Sequence, residues 1–174
     1  PCLPINSYQL LNTARRTGTK LSIIESGRKI NEKMPDHTVE LTSNAFKECN
    51  KSIQNSEILI LGVSYKPNVK DIQLSPAEHI IKKLQNLGAN VHIYDPNFSS
   101  SEVFGIKVED NLDDILSKMD AAVIVTGHDD FKKIEISSFT KMKTPILVDT
   151  SRIIELQSIK QYNIIFRGLG RGDF

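Results

Sequence analysis

A succession of short apolar runs, each closed by a turn and most followed by a stretch of helical spacing, constrains this chain more than any other feature. Ile58-Leu59-Ile60-Leu61-Gly62 comes first, rich in β-branched residues and bounded by polar residues and a glycine. Val91-His92-Ile93-Tyr94 follows, ended by Asp95-Pro96, and then Ala121-Ala122-Val123-Ile124-Val125, ended by Thr126-Gly127. Ile146-Leu147-Val148-Asp149 is a fourth such run and Asn163-Ile164-Ile165-Phe166 a fifth. Runs this short and this continuously apolar are what strands buried on both faces look like, because neither set of alternating side chains meets water. Between them, Ser75 as N-cap and Pro76 at the first helical position open a helix through Leu84, which Gly88 closes. Asn111 or Leu112 to Met119 reads as helix, and Glu135 to Thr140 as a short polar one, while Ser99-Ser100-Ser101 marks a loop. Strands alternating with helices at this spacing pair in parallel, since a parallel crossover needs about the length of a helix. The expected fold is therefore α/β, a doubly wound parallel sheet with helices on both faces.

Residues 7 to about 50 carry the helical period instead. Ser7 is the expected N-cap of a first helix with Tyr8, Leu11 and Ala14 on one face, stopped by Gly18. Leu21, Ile24, Gly27, Ile30 and Met34 continue at helical spacing. Pro35 either kinks that helix or starts a new one, whose apolar face is Val39, Leu41, Ala45 and Phe46. Helices without a strand enclose little core, so these faces need a partner, either another part of the chain or a second copy. A homodimer through them is expected. The expected organisation is a helical segment over 1–50 and an α/β domain over 51–174. Because the chain opens on Pro1 rather than Met, it is expected to be a piece of a longer protein.

Composition excludes several classes of function. The 22 Lys and Arg against 21 Asp and Glu give a formal net charge of +1, without basic clusters, so nucleic acid and membrane surfaces are not expected partners. Uninterrupted apolar stretches reach only about six residues, against the roughly 20 that a spanning helix needs. Two cysteines are too few for a disulfide framework, and a reducing cytoplasm is the expected compartment. The histidines His37, His79, His92 and His128 show no metal-ligand spacing, and packing roles are expected for His79 and His92.

Ligands of doubly wound sheets bind beyond the carboxyl ends of the strands, which directs attention to the loops after Leu61, Tyr94, Val125 and Val148. After the first run the chain reads Gly62-Val63-Ser64-Tyr65-Lys66-Pro67-Asn68-Val69-Lys70-Asp71. Only one of the three glycines of a dinucleotide fingerprint is present there. Tyr65 and Lys66 sit where a phosphate or a sugar hydroxyl could be met; the alternative is a packing tyrosine and a solvated lysine. Gly168-Leu169-Gly170-Arg171-Gly172 is glycine-rich but opens no helix, and reads as a tail. Cys2, between Pro1 and Leu3-Pro4, is expected on a stiff loop, which suits a positioned nucleophile as well as a buried thiol. Cys49 reads as a core or bystander thiol.

Two stretches in order resemble the UDP-glucose/GDP-mannose dehydrogenase family. Pro1-Cys2-Leu3-Pro4-Ile5-Asn6-Ser7-Tyr8 resembles its active-site loop, Gly-Gly-x-Cys-(Ile/Leu)-Pro-x-(Asp/Asn)-Pro-Tyr. Leu61 to Pro76 resembles the signature of its C-terminal sugar-nucleotide domain, and the resemblance continues through Gly88-Ala89-Asn90-Val91-His92-Ile93-Tyr94-Asp95-Pro96. The Cys-Leu-Pro sequence is nearer the UDP-N-acetylmannosamine branch than the UDP-glucose branch, which typically shows Cys-Phe-x-Lys-Asp.

The resemblance implies an enzyme with an N-terminal NAD-binding domain, central dimerising helices, and a Rossmann-like UDP-sugar-binding domain at residues 51–174 here. Such an enzyme oxidises a sugar C6 alcohol to a carboxylate in two NAD-dependent steps. By resemblance Cys2 is the nucleophile that makes the C6 aldehyde carbon tetrahedral, and Asn6 hydrogen-bonds near the reacting centre. Tyr65 and Lys66 match the pair that contacts the sugar nucleotide. Gln73 stands where the family has an Arg near the cofactor, Ser7 replaces a Pro, and Asp149-Thr150-Ser151-Arg152 stands for Asp-(Gly/Thr)-Arg, whose Arg holds substrate. A UDP-glucose 6-dehydrogenase, or a truncated binding or dimerisation module without catalysis, is the alternative. With no Gly-x-Gly-x-x-Gly unit after a strand, the chain by itself is expected not to oxidise sugars; NADH produced from a UDP-sugar by the purified 174-residue protein would refute this.

Overall fold

The computed structural model describes residues 2–171, with side chains from residue 4 onward. It opens on α1 (Cys2–Arg16) and α2 (Ser22–Glu48), followed by β1 (Glu57–Leu61), α3 (Pro76–Asn86) and β2 (Asn90–Tyr94). A small antiparallel hairpin, β3 (Glu102–Val103) and β4 (Ile106–Lys107), comes next, then α4 (Leu112–Leu116) and β5 (Ala121–Ile124). The chain closes with α5 (Ile136–Phe139), β6 (Ile146–Asp149), α6 (Leu156–Ile159) and β7 (Ile165–Gly168).

β1, β2, β5, β6 and β7 form one parallel sheet in the order β2-β1-β5-β6-β7, as the alternating pattern requires. Register puts Ile58, Ala121 and Ile146 side by side, so alternate residues of every strand share a face. Ile58, Ile60, Ala121, Val123, Ile146 and Val148 pack under α2 and α3. Leu59, Leu61, Ala122, Ile124, Leu147 and Phe166 pack under α4, α5 and α6. The three-layer sandwich is thus sealed on both faces. Burying one such side chain contributes roughly 1.5–3 kcal/mol before entropy is counted.

The second half of α2 belongs to this core. Val39, Ala45 and Phe46 share it with the sheet, and Arg167 of β7 pairs with Glu48. On α3, Asp36 of α2 meets His79 at 2.8 Å and Lys83 at 2.6 Å. α2 runs through Pro35 without a break, although the missing N–H leaves the carbonyl of Asn31 without its intrahelical donor. Asn31 is exposed, where water can serve that carbonyl.

Several elements differ from the sequence reading, α4 among them, which ends at Leu116 rather than Met119. α1 begins at Cys2, so the segment expected as a stiff loop capped by Ser7 is the first turn of a helix. N–H groups of a first turn have no acceptor within the helix, and Pro4 there sacrifices no bond. β7 spans Ile165–Gly168 rather than 163–166, because Tyr162 and Ile164 are held in a turn that follows α6. The hairpin β3–β4 was not expected. It bridges from Val108 to Ile93 and covers the outer edge of β2, an edge that would otherwise stand open. The signals that bound α3 did hold: Ser75 accepts from the Ala77 N–H at 3.2 Å, and Gly88, at φ +84°, closes α3 with Ala89 N–H on the Leu84 carbonyl at 3.1 Å.

Candidate functional site

The strand order turns back on itself between β1 and β5, which flank the point where a doubly wound sheet opens a crevice at its carboxyl end. The loops after β1, β2 and β5 meet there around one side chain. Asp95, directly after β2, is fully buried. Its Oδ2 accepts from the Val63 N–H at 2.8 Å and from His128 Nε2 at 3.0 Å, and its Oδ1 accepts from the Asn97 N–H at 2.9 Å. Burial pushes the Asp95 carboxyl up, but the hydrogen bonds from His128, Val63 and Asn97 outweigh it and hold the group below the ordinary carboxylate range. A depressed folded value means that this stabilisation is present above the ordinary carboxylate pKa and is lost as pH falls through the folded one.

His128, also buried, faces the loop after β1 with its other nitrogen: Nδ1 accepts from the Asn68 N–H at 2.9 Å. The Asn68 side chain continues the staple, donating to Asp129 Oδ2 at 2.7 Å and accepting from the Asp129 N–H at 3.1 Å. Asn68 itself sits at φ +60°, a conformation that asparagine tolerates better than most residues. At the base of this loop Gly62, at φ +83°, lies so close to β5 that a Cβ would stand 2.3 Å from the Thr126 carbonyl oxygen. Thr126 Oγ1 donates back to the Ser64 carbonyl. The lone glycine of the sequence motif is therefore a packing glycine.

The loop after β6 joins the same crest. A Cβ on Gly127 would stand 2.8 Å from Ser151 Cβ and 2.6 Å from Ile153, and Ser151 Oγ donates to the Val125 carbonyl at 2.9 Å. Asp149 shapes this loop by accepting from the Ser151 and Ile154 N–H groups, each at 2.9 Å. Arg152 projects from it exposed, at φ +57°. Arg171 ties the end of the described chain down by donating to the Ile154 carbonyl, so residues 168–171 are anchored, not a loose tail. Gly172 lies outside the described residues.

The structure thus brings Tyr65, Lys66 and Arg152 to one edge. Tyr65 is half-buried, its N–H closing the loop onto the Asp71 carbonyl at 2.9 Å, and the exposed Lys66 lies 5.7 Å from its ring. Lys70 lies 5.5 Å from the Phe98 ring nearby. Among the described residues, no carboxylate neutralises Lys66, Lys70 or Arg152. Gln73 is exposed ahead of α3, with its N–H on Asp71 Oδ1 at 2.8 Å. Asn6 is exposed on α1, which packs on α2 with Arg28 over the Tyr8 ring at 5.4 Å. The Cys2 side chain lies outside the described residues. Cys49 is half-buried on α2's end, and burial raises its thiol pKa. No group of His, Cys, Asp and Glu among the described residues is arranged to hold a metal.

Sequence reasoning missed Asp95, His128 and Asn68. Their signal was positional: each falls in a loop just beyond a strand's carboxyl end.

The crest does not fit NAD at its dinucleotide position. The space beside Gly62, where a pyrophosphate would need bare backbone, is filled by Thr126. The acid at the end of β2, which in such sites meets a ribose, is spent on internal donors.

Residues 59–156, more than half of the chain, match the UDP binding domain of the UDP-glucose/GDP-mannose dehydrogenase family. The chain belongs to that family. A UDP-N-acetyl-D-mannosamine dehydrogenase of Pyrococcus horikoshii is 32% identical over 99% of this chain and 38% of its own length. A UDP-glucose 6-dehydrogenase of Bacillus subtilis is 31% identical over 98% of this chain and 37% of its own. The solved UDP-D-ManNAc dehydrogenase of Pyrococcus horikoshii superimposes with a TM-score of 0.86, again over 99% of this chain and 38% of that one. This family member therefore spans about two-fifths of the length of these relatives. Family membership agrees with a nucleotide-sugar oxidoreductase lineage and with NAD as the cofactor of the dehydrogenases it resembles. No helix among the described residues is long and apolar enough to cross a membrane.

Replacing Asp95 by Ala strips an acceptor from two buried donors, the Val63 N–H and His128 Nε2, and from the half-buried Asn97 N–H; a buried donor left unpaired costs roughly 1–3 kcal/mol. The variant is expected to lose at least about 2 kcal/mol in urea unfolding; a loss under about 1 kcal/mol would mean that Asp95 does not hold the loops.

Proposed function

We propose that this chain is the nucleotide-sugar-binding part of a UDP-sugar 6-dehydrogenase, taking UDP-N-acetylmannosamine as its substrate. The observation that carries this reading is the set of cations without carboxylate partners, Lys66 and Arg152, on loops that Asp95, Asn68 and Gly127 draw to one crest. A diphosphate needs donors and positive charge that are not already spent on carboxylates, and these side chains supply both. Tyr65, fixed by its N–H on Asp71, offers an aromatic face beside Lys66 for the uridine or sugar.

On α1, Cys2 supplies the thiolate that adds to a C6 aldehyde, and Asn6 hydrogen-bonds near that carbon. These roles rest on the Cys-Leu-Pro-Ile-Asn match. Ile5, Tyr8, Leu10, Ile23 and Ile30 are exposed on α1 and α2, and burying them against a second copy makes the homodimer. The NAD that the overall reaction requires is not held at the β1 turn of this chain. A UDP-glucose substrate is the second reading, supported by the similarity to the Bacillus subtilis relative.

Calorimetry on the purified chain with UDP-N-acetylmannosamine, UDP-glucose and UDP tests the reading. All three are expected to bind, UDP-N-acetylmannosamine most tightly, and Lys66→Ala is expected to weaken each about tenfold, the value of one charge-assisted hydrogen bond. Unchanged affinity in Lys66→Ala, or no binding of any of the three, contradicts it.

A further inference from the structure

Besides the side chains that face outward, the crest contains a buried ring whose hydrogen bonds select one tautomer. Asn68 offers His128 a backbone N–H, which can only donate, so Nδ1 carries no proton. Asn97 Nδ2, at 3.3 Å from the same nitrogen, is a second donor on that side. On the opposite side Nε2 lies 3.0 Å from a carboxylate oxygen of Asp95, an acceptor, so Nε2 carries the proton. Phe131 closes the remaining side, edge-on at 5.3 Å and 78°. The ring is 1% exposed, too deep to meet a ligand at the surface of the crest. What it touches is the loop: Asp95, to which it donates, also holds the Val63 N–H, so the Asp95–His128 pair fixes both the start of the loop after β1 and its turn at Asn68.

We propose that His128 is a positioning residue for nucleotide-sugar binding, which holds the 62–68 loop through its bare Nδ1 and so sets where Tyr65 and Lys66 stand. The inference rests on the reading of Tyr65 and Lys66 as binding residues. A ring that donated from Nδ1 would meet the Asn68 N–H head-on, and the turn at Asn68 would lose its backbone hydrogen bond, leaving only the side-chain contacts of Asn68 with Asp129 and of Thr126 with Ser64. Asp95 acts as the orienter, choosing the tautomer as a carboxylate does for a metal-binding or catalytic histidine, here in the service of a backbone amide.

The test combines a spectroscopic and a binding measurement on the full 174-residue chain. In the wild type, nitrogen NMR should show Nε2 protonated and Nδ1 bare, and the Asn68 amide should be protected from hydrogen exchange. His128→Ala should lose that protection and bind UDP about tenfold more weakly, while β5 amides stay protected. His128→Asn keeps an oxygen near Nδ1 and gives up the Asp95 bond, and it should recover most of the affinity. It also decides the matter if the alanine variant fails to fold, because an asparagine variant that folds yet binds as weakly as Lys66→Ala overturns the proposal. So does a protonated Nδ1, or wild-type affinity in His128→Ala. If the wild type binds neither UDP nor a UDP-sugar, the reading of Tyr65 and Lys66 has failed, and the proposed role in binding falls with it. In that case the Asn68 amide still reports whether His128 orders the loop.

Discussion

A single buried carboxylate organises the functional end of this fold. A doubly wound sheet leaves its loops pointing the same way at the carboxyl edge but gives them no reason to stand in register with one another. Asp95 provides that reason by accepting from the loops after β1, β2 and β5 at once. Its three hydrogen bonds offset the desolvation that would otherwise keep a carboxyl protonated in such a place. Everything displayed above it, Tyr65 and Lys66 directly and Arg152 through the packing of residues 151–153 on Gly127, inherits its position from that arrangement.

The same carboxylate explains why a dinucleotide-type topology does not make a dinucleotide site here. At the end of β2 an acid that faces outward can meet a ribose; this one faces inward and has no acceptor capacity pointing to solvent. Gly62, the residue type that opens the backbone to a pyrophosphate in a dinucleotide site, instead admits Thr126. The fold has traded a glycine-rich turn for a longer loop, 62–75, stapled to β5 by Asn68. Under the proposed reading, anion binding falls to side-chain cations at the loop's tip rather than to backbone N–H groups.

Much of this was legible in the residues. The apolar runs at Ile58, Val91, Ala121 and Ile146 became strands where expected, because continuous burial on two faces leaves no other pattern. Ser75-Pro76 and Gly88 bounded α3 because capping chemistry is local. The misses have equally local causes. Pro4 is harmless in a first turn and so did not delay α1 past Cys2. Pro35 is silent about whether a helix breaks, since that depends on what α3 and β6 offer its far side. Two-residue strands such as β3 and β4 carry no period to detect. Asp95 and His128 were visible as types, but their partnership spans more than thirty residues of chain and exists only after β2 and β5 are placed on either side of β1. Tyr65, Lys66 and Arg152 could be named from motif resemblance and their loops from the strand ends; the close packing of Gly62 on Thr126 and of Gly127 on Ser151 that links those loops through the one after β5 could not.

The central claim is that the crest over β1, β5 and β6 is where the nucleotide sits. Amide chemical-shift mapping of the chain during titration with UDP tests it most directly. The account predicts that the shifted amides cluster in residues 62–70, 126–129 and 150–153, with the opposite edge around Glu57, Asn90 and His92 unmoved. Saturable shifts confined to that opposite edge, or to the exposed faces of α1 and α2, would contradict it.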